Sequence, residues 1–151
     1  MIVYRLAAVK YANSLNSSGA SNRWNKHGQY VIYASMSISL CALELLAHTS
    51  GIKPAGEFMV MNIEIDDAVA IHPFKISQLP ENWNSLSAYP FTQQFGSEWY
   101  KSQKTLLMNI PSAIIPSESN VIINTFHPDF SEKVKLKDVQ DFFWDNRFPS
   151  N

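Results

Sequence analysis

The stretch Ser39–His48, SLCALELLAH, constrains the chain more than any other. It carries helix-forming residues without a break, and it is apolar almost all round. At 100° per residue from Met36, the side chains of Met36, Ile38, Leu40, Ala42, Leu43, Leu45, Leu46 and Ala47 cover most of the circumference. Ser37, Glu44 and His48 fall within a sector of about 40°, with Cys41 at its edge. A helix with so narrow a polar stripe predicts a position inside its domain, with the stripe lining an internal cleft. Glu44 then needs a partner, because an ionised carboxylate held against leucines costs several kcal/mol, of order, when unpaired. The alternative is that Glu44 looks through a gap in the surface and is solvated.

The rest of the chain can build such an interior. Its 151 residues make one domain, 1–151, able to bury a real core. Apolar residues at 46% against charged residues at 17% describe a globular chain and exclude disorder. The net charge of −1 gives no basic field for nucleic acid or an anionic membrane, and disfavours a nuclease. Lys133, Lys135 and Lys137 alternate as on a solvated strand edge. Cys41 is the sole cysteine, so no internal disulfide forms, which suits a reducing cytoplasm. Met1 leads directly into strand-like IVYRLA without a signal-peptide pattern, and no apolar run reaches a membrane span.

Strand composition marks 1–8, 30–35, 57–65 and 69–72, then TLLMNI, SAIIP and NVIINTF, and finally VKLKDVQDFFWD. Helices are expected at 36–49, capped by Ser35 or Ser37 and ended by Gly51, and at 90–103 despite Gly96. ISQLPENW reads as a turn or short helix. Residues 12–29 form a Ser-, Asn- and Gly-rich loop, long enough to imply a functional reason for it. Strands outnumber helices, so the predicted class is α+β: mixed or antiparallel sheets around a central buried helix.

Several side chains could carry chemistry. Arg23 offers a planar fork for two phosphate oxygens, or is a plain surface arginine. Trp24 beside it stacks on a ligand or anchors the loop. Arg5 points into a polar interior or lies on the open side of an edge strand. Tyr33 suits a pocket wall or a core. Ser112 presents its hydroxyl to a cleft or satisfies a turn, and Asn124 needs partners if buried. The chain has neither G-x-S-x-G nor a phosphate-binding P-loop. His27, His48, His72 and His127 lack metal-ligand spacing, so no metal is expected.

Four blocks in order carry a resemblance: SNRWNKHGQYVIYAS, ALELLAH, IPSAIIPSESNVIINTFHPDF and the terminal FWDNRF. The chain resembles the RES family of bacterial toxins, named for an Arg, a Glu and a Ser, from about residue 3 to 148. Asn22 stands where many members have Gly. The resemblance places the lettered residues on Arg23, Glu44 and Ser112 as catalytic, with Arg23, Tyr33, Ser112 and Asn124 contacting substrate. It implies an ADP-ribosyltransferase-like fold and an enzyme that consumes NAD⁺ as substrate, without cofactor or metal. The reaction would be hydrolysis or phosphorolysis of the nicotinamide–ribose bond, causing growth arrest, or modification of a protein target. A catalytically inactive binding module of the same fold is the alternative. The implied partner is an antitoxin with a helix-turn-helix DNA-binding region that occludes the active site in the bacterial cytoplasm.

Overall fold

The computed structural model describes residues 1–150 and identifies where this helix sits. Among the described residues seven strands form one mixed sheet: β1 (Ile2–Ala8), β2 (Val31–Ser35), β3 (Phe58–Ile65), β4 (Ile71–His72), β5 (Leu107–Pro111), β6 (Ser119–Asn124) and β7 (Val134–Phe142). Their order across the sheet is β4-β5-β6-β2-β1-β3-β7. Only β4 and β5 run parallel; the other neighbours are antiparallel. Three α-helices accompany them: α1 (Ile38–His48), α2 (Tyr89–Ser102) and the single turn α3 (Phe130–Lys133). This single α+β unit is consistent with an ADP-ribosyltransferase-like fold.

The sheet has a seam. β1 follows β3 over seven residue pairs, and β2 follows β6 over five. Between β1 and β2 the ladder is held by one pair, Tyr4 with Ser35. Inward side chains of both halves, among them Val3, Met61 and Ile63 on one side and Ile32, Val121 and Ile123 on the other, meet in one core. A second core lies on the opposite face of β2, β5 and β6, where Val31, Met108, Ile110 and Ile122 pack against Trp24, Trp83 and Trp99.

α1 packs against β1 and β2, over the seam. Ser37 is its N-cap and accepts the Leu40 N–H at 3.1 Å. At the far end Gly51 takes φ +82° and returns its N–H to the Leu46 carbonyl. The expectation of a helix buried all round is corrected here. Only Leu40, Cys41 and Leu46 are buried, while Met36 is 50% and Leu43 36% exposed. The helix buries one strip against the seam, and single apolar side chains on the outside of a domain are ordinary.

Two other expectations change. SAIIP is not a strand: β5 ends at Pro111, and Ser112 starts a turn in which its Oγ accepts the N–H groups of Ile114 and Ile115 at 3.1 and 3.0 Å. A serine that satisfies two backbone donors competes with strand pairing. β1 is an interior strand, so Arg5 is not on an edge; it is half-buried, and Nη1 donates to the Asn16 carbonyl at 2.9 Å. Burial lowers the Arg5 pKa from its ordinary value. The alternating lysines do lie at an edge, on β7 and the turn before it. Among the described residues no helix is long and apolar enough to cross a membrane.

Candidate active site

Arg23 and Trp24 sit at the tip of a tight turn closed by reciprocal backbone hydrogen bonds between Asn22 and Asn25 (3.0 and 3.4 Å). The two side chains diverge. Trp24 is 2% exposed and packs among Phe74, Trp83 and Phe95, with ring centroids 5.2–6.4 Å apart, so it anchors the loop. Asn25, also buried, ties the turn down: its Nδ2 donates to the carbonyls of Ala20, Lys26 and Gln29. Behind the turn, the Thr92 hydroxyl of α2 donates to the Arg23 carbonyl at 2.7 Å. Gly96, one turn further on, lets the helix backbone press directly against Trp24.

Arg23 is thereby held in one pose. Its guanidinium lies over the Tyr89 ring, 4.6 Å from the centroid, and Nη1 donates to the carbonyls of Trp83 and Ser85, each at 3.1 Å. One edge of the fork is fixed, and the other, Nε and Nη2, has no protein acceptor among the described residues.

Tyr33 is the strut between loop and sheet. Its hydroxyl accepts the Trp24 N–H at 3.1 Å and donates to Asn25 Oδ1 at 2.8 Å. Burial pushes the phenol pKa well above the tyrosine range, so the hydroxyl stays a neutral donor at any physiological pH. With the hydroxyl engaged, the ring is the part that faces the cleft. Tyr33→Phe leaves a backbone N–H and an amide oxygen unpaired at the base of the loop, which costs about 2 kcal/mol. In a chain of this size we expect thermal unfolding by circular dichroism to fall by about 4–8 °C.

Glu44 has found its partners. Oε1 accepts from Ser112 Oγ at 2.8 Å and from Asn120 Nδ2 at 2.6 Å. No protein donor among the described residues reaches Oε2. Ser112 is fully buried, with its hydroxyl divided between Glu44 and the turn after β5. Asn120, at the start of β6, is cross-strand neighbour to Ser35.

These groups surround a cleft of two lobes. One, of about 310 Å³, is lined by Arg23, Tyr33, Glu44, Tyr89, Asn120 and the exposed Leu86, among others. The other, of about 220 Å³, shares Asn22, Tyr33, Glu44, His48 and Asn120 and adds Arg5 and Cys41. The lobes meet at Glu44, and together they reach small-molecule scale. Burial raises the Cys41 thiol pKa, which disfavours a reactive thiolate there.

Arg23, Tyr33 and Glu44 therefore share one cleft. Ser112 reaches it through Glu44 and does not line it. Asn124 lies four residues beyond Asn120, roughly 13 Å along the strand. Fully buried there, it binds the Tyr100 carbonyl through Nδ2 and the Phe126 N–H through Oδ1, and lines neither lobe. Asn120 and Tyr89 are site residues that sequence reasoning missed. Asn120 was open to discovery: strand parity puts it on the same face as Asn124. Tyr89, 66 positions from Arg23, left no local signal.

Residues 2–145 match the family model described as RES domain. The chain belongs to the RES family. Over 151 aligned residues it is 34% identical to Toxin Res of Photorhabdus laumondii, covering 97% of this chain and 96% of that one. It is 32% identical to Toxin Res of Yersinia enterocolitica, covering 97% and 99%. It is 35% identical over 142 residues to the Prs ADP-ribosylating toxin of a Sphingobium species, covering 90% and 87%. In this RES chain, Arg23 is a stacked cation, Glu44 a seated carboxylate and Ser112 the hydroxyl that helps seat it.

Proposed function

We propose that this RES protein is a toxin that consumes NAD⁺ by breaking its nicotinamide–ribose bond. The observation that carries the reading is Glu44: a carboxylate fixed through one oxygen, with the other unpaired, in a cleft it shares with a half-engaged arginine. Breaking that bond sends its electron pair to the ring nitrogen, and neutral nicotinamide leaves. The ribose carbon becomes oxocarbenium-like, as at other glycosidic centres. A carboxylate fixed beside it stabilises the cation and holds the ribose hydroxyls, with no reorganisation during the reaction. Nicotinamide is a good leaving group without protonation, so a second carboxylate is dispensable.

In this mechanism the free edge of Arg23 grips the pyrophosphate and the Tyr33 ring packs against the nicotinamide ribose. Ser112 acts through Glu44. Water or phosphate completes the turnover. The ADP-ribosylating Sphingobium relative favours a second reading, in which a protein side chain takes the ADP-ribosyl group. A protein antitoxin with a helix-turn-helix region would restrain the enzyme by covering the cleft, with a carboxylate of its own on Arg23.

Arg23→Lys keeps the charge and loses the fork. We expect the KM for NAD⁺ to rise about tenfold with a smaller change in kcat, read from initial rates. An unchanged KM removes Arg23 from the pyrophosphate site. The biological reading is tested by expressing the chain alone in a bacterium: growth stops and cellular NAD⁺ falls. Normal growth and NAD⁺, with folded protein confirmed in the same cells, contradicts it. Mass analysis of the products with and without phosphate, and of proteins in a lysate, separates the acceptors.

A further inference from the structure

Asn120 is oriented end to end. Its Nδ2 donates to Glu44 Oε1, and its Oδ1 accepts from the Ser35 hydroxyl at 2.5 Å. The two ends of an asparagine side chain have nearly the same shape, so packing does not decide which one meets the carboxylate. A carboxylate accepts only, and an amide oxygen turned toward it would repel it. Glu44 itself therefore excludes that alternative, and Ser35, 4% exposed, donates to the other end. A hydroxyl can accept as well as donate, so Ser35 pins the amide without choosing its direction. Ser35 is itself placed by backbone on both sides: it pairs with Asn120 in β6 and with Tyr4 in β1, at the one pair that closes the seam.

We infer that Ser35 and Asn120 form a positioning pair for Glu44: Ser35 locks the Asn120 amide, and the locked amide, together with Ser112, seats Oε1 and leaves Oε2 to the substrate. The inference rests on Glu44 serving the ribosyl cation as proposed above. Two donors from different elements, Ser112 just after β5 and Asn120 on β6, define the carboxylate better than one can. Asn120 stands on the sheet and Ser112 directly at the end of a strand, both apart from the loop that carries Arg23. Asn120 is a positioning residue here, and its effect belongs in kcat.

Kinetics give the first arm of the test. Asn120→Ala lowers kcat for NAD⁺ cleavage roughly 10–100-fold, with KM within about threefold of the parent. Ser35→Ala lowers kcat less, by about fivefold. The double variant is no slower than Asn120→Ala, because Ser35, although it also lines the smaller lobe, acts on Glu44 through Asn120. Parental kcat in Asn120→Ala, a loss confined to KM, or losses that multiply in the double variant would overturn the pair. The second arm needs no turnover. In ¹⁵N-labelled protein, the Asn120 side-chain amide protons are widely separated, and the downfield one moves upfield in Glu44→Gln. Ser35→Ala brings the two together through amide reorientation. Amide signals unmoved in both variants overturn the orientation. If the parent protein releases no nicotinamide yet these shifts occur, the reaction is wrong and the seating is right.

Discussion

Glu44→Gln folds and loses NAD⁺ cleavage by roughly 10²–10³-fold in kcat. The change is nearly isosteric, and the site accommodates it. Both donors, Ser112 Oγ and Asn120 Nδ2, meet Oε1, so the glutamine oxygen can occupy that seat while its amide nitrogen faces the cleft. Packing and hydrogen bonds survive; the negative charge does not. In the proposed mechanism the developing oxocarbenium ion then loses the carboxylate that stabilises it. The Tm stays within about 4 °C of the parent, corresponding to about 1 kcal/mol in a domain of this size. A folded Gln variant with parental turnover would make Glu44 a bystander.

Gly96→Ala unfolds the molecule more easily, against the helix scale. In an exposed helix the change stabilises by about 1 kcal/mol. Here the added Cβ would lie 1.8 Å from the Trp24 carbonyl oxygen and 2.8 Å from its carbonyl carbon. Both obstacles are backbone, so no rotamer relieves them; either α2 or the Asn22–Asn25 turn must move. We expect about 3 kcal/mol of lost stability, and a fall in Tm of about 6–12 °C. Because Trp24 and Arg23 are consecutive, the surviving folded protein also has a raised KM for NAD⁺. A Tm equal to or above the parental value, by differential scanning calorimetry, would show that the close approach of helix and loop is not what requires the glycine.

The helix over Gly96 was readable from its neighbours, yet the reason for the glycine was not: the obstacle is 72 residues away. The same limit recurs across the site. Local signals placed Glu44 on a polar stripe, located the Arg23 loop, and bounded the helix by Ser35 or Ser37 at one end and Gly51 at the other; the structure selects Ser37. Composition gave the strands and the class. What failed depended on how elements stack. α1 lies over the seam with an open outer side, which an apolar circumference alone cannot distinguish from burial. SAIIP has strand composition, but Ser112 and the flanking Pro111 and Pro116 make it a turn. Asn124 and Asn120 share a strand face, and which end of that strand meets α1 is a property of the sheet order. The tie between Glu44 and its two donors spans 68 and 76 residues.

Purified protein incubated with NAD⁺, with free nicotinamide measured by chromatography, tests the central claim most directly. The expected result is one nicotinamide released for each NAD⁺ lost, with release falling at least about a hundredfold in Glu44→Gln. Intact NAD⁺ after prolonged incubation with folded protein, with and without phosphate and with a cell lysate as acceptor, would contradict it.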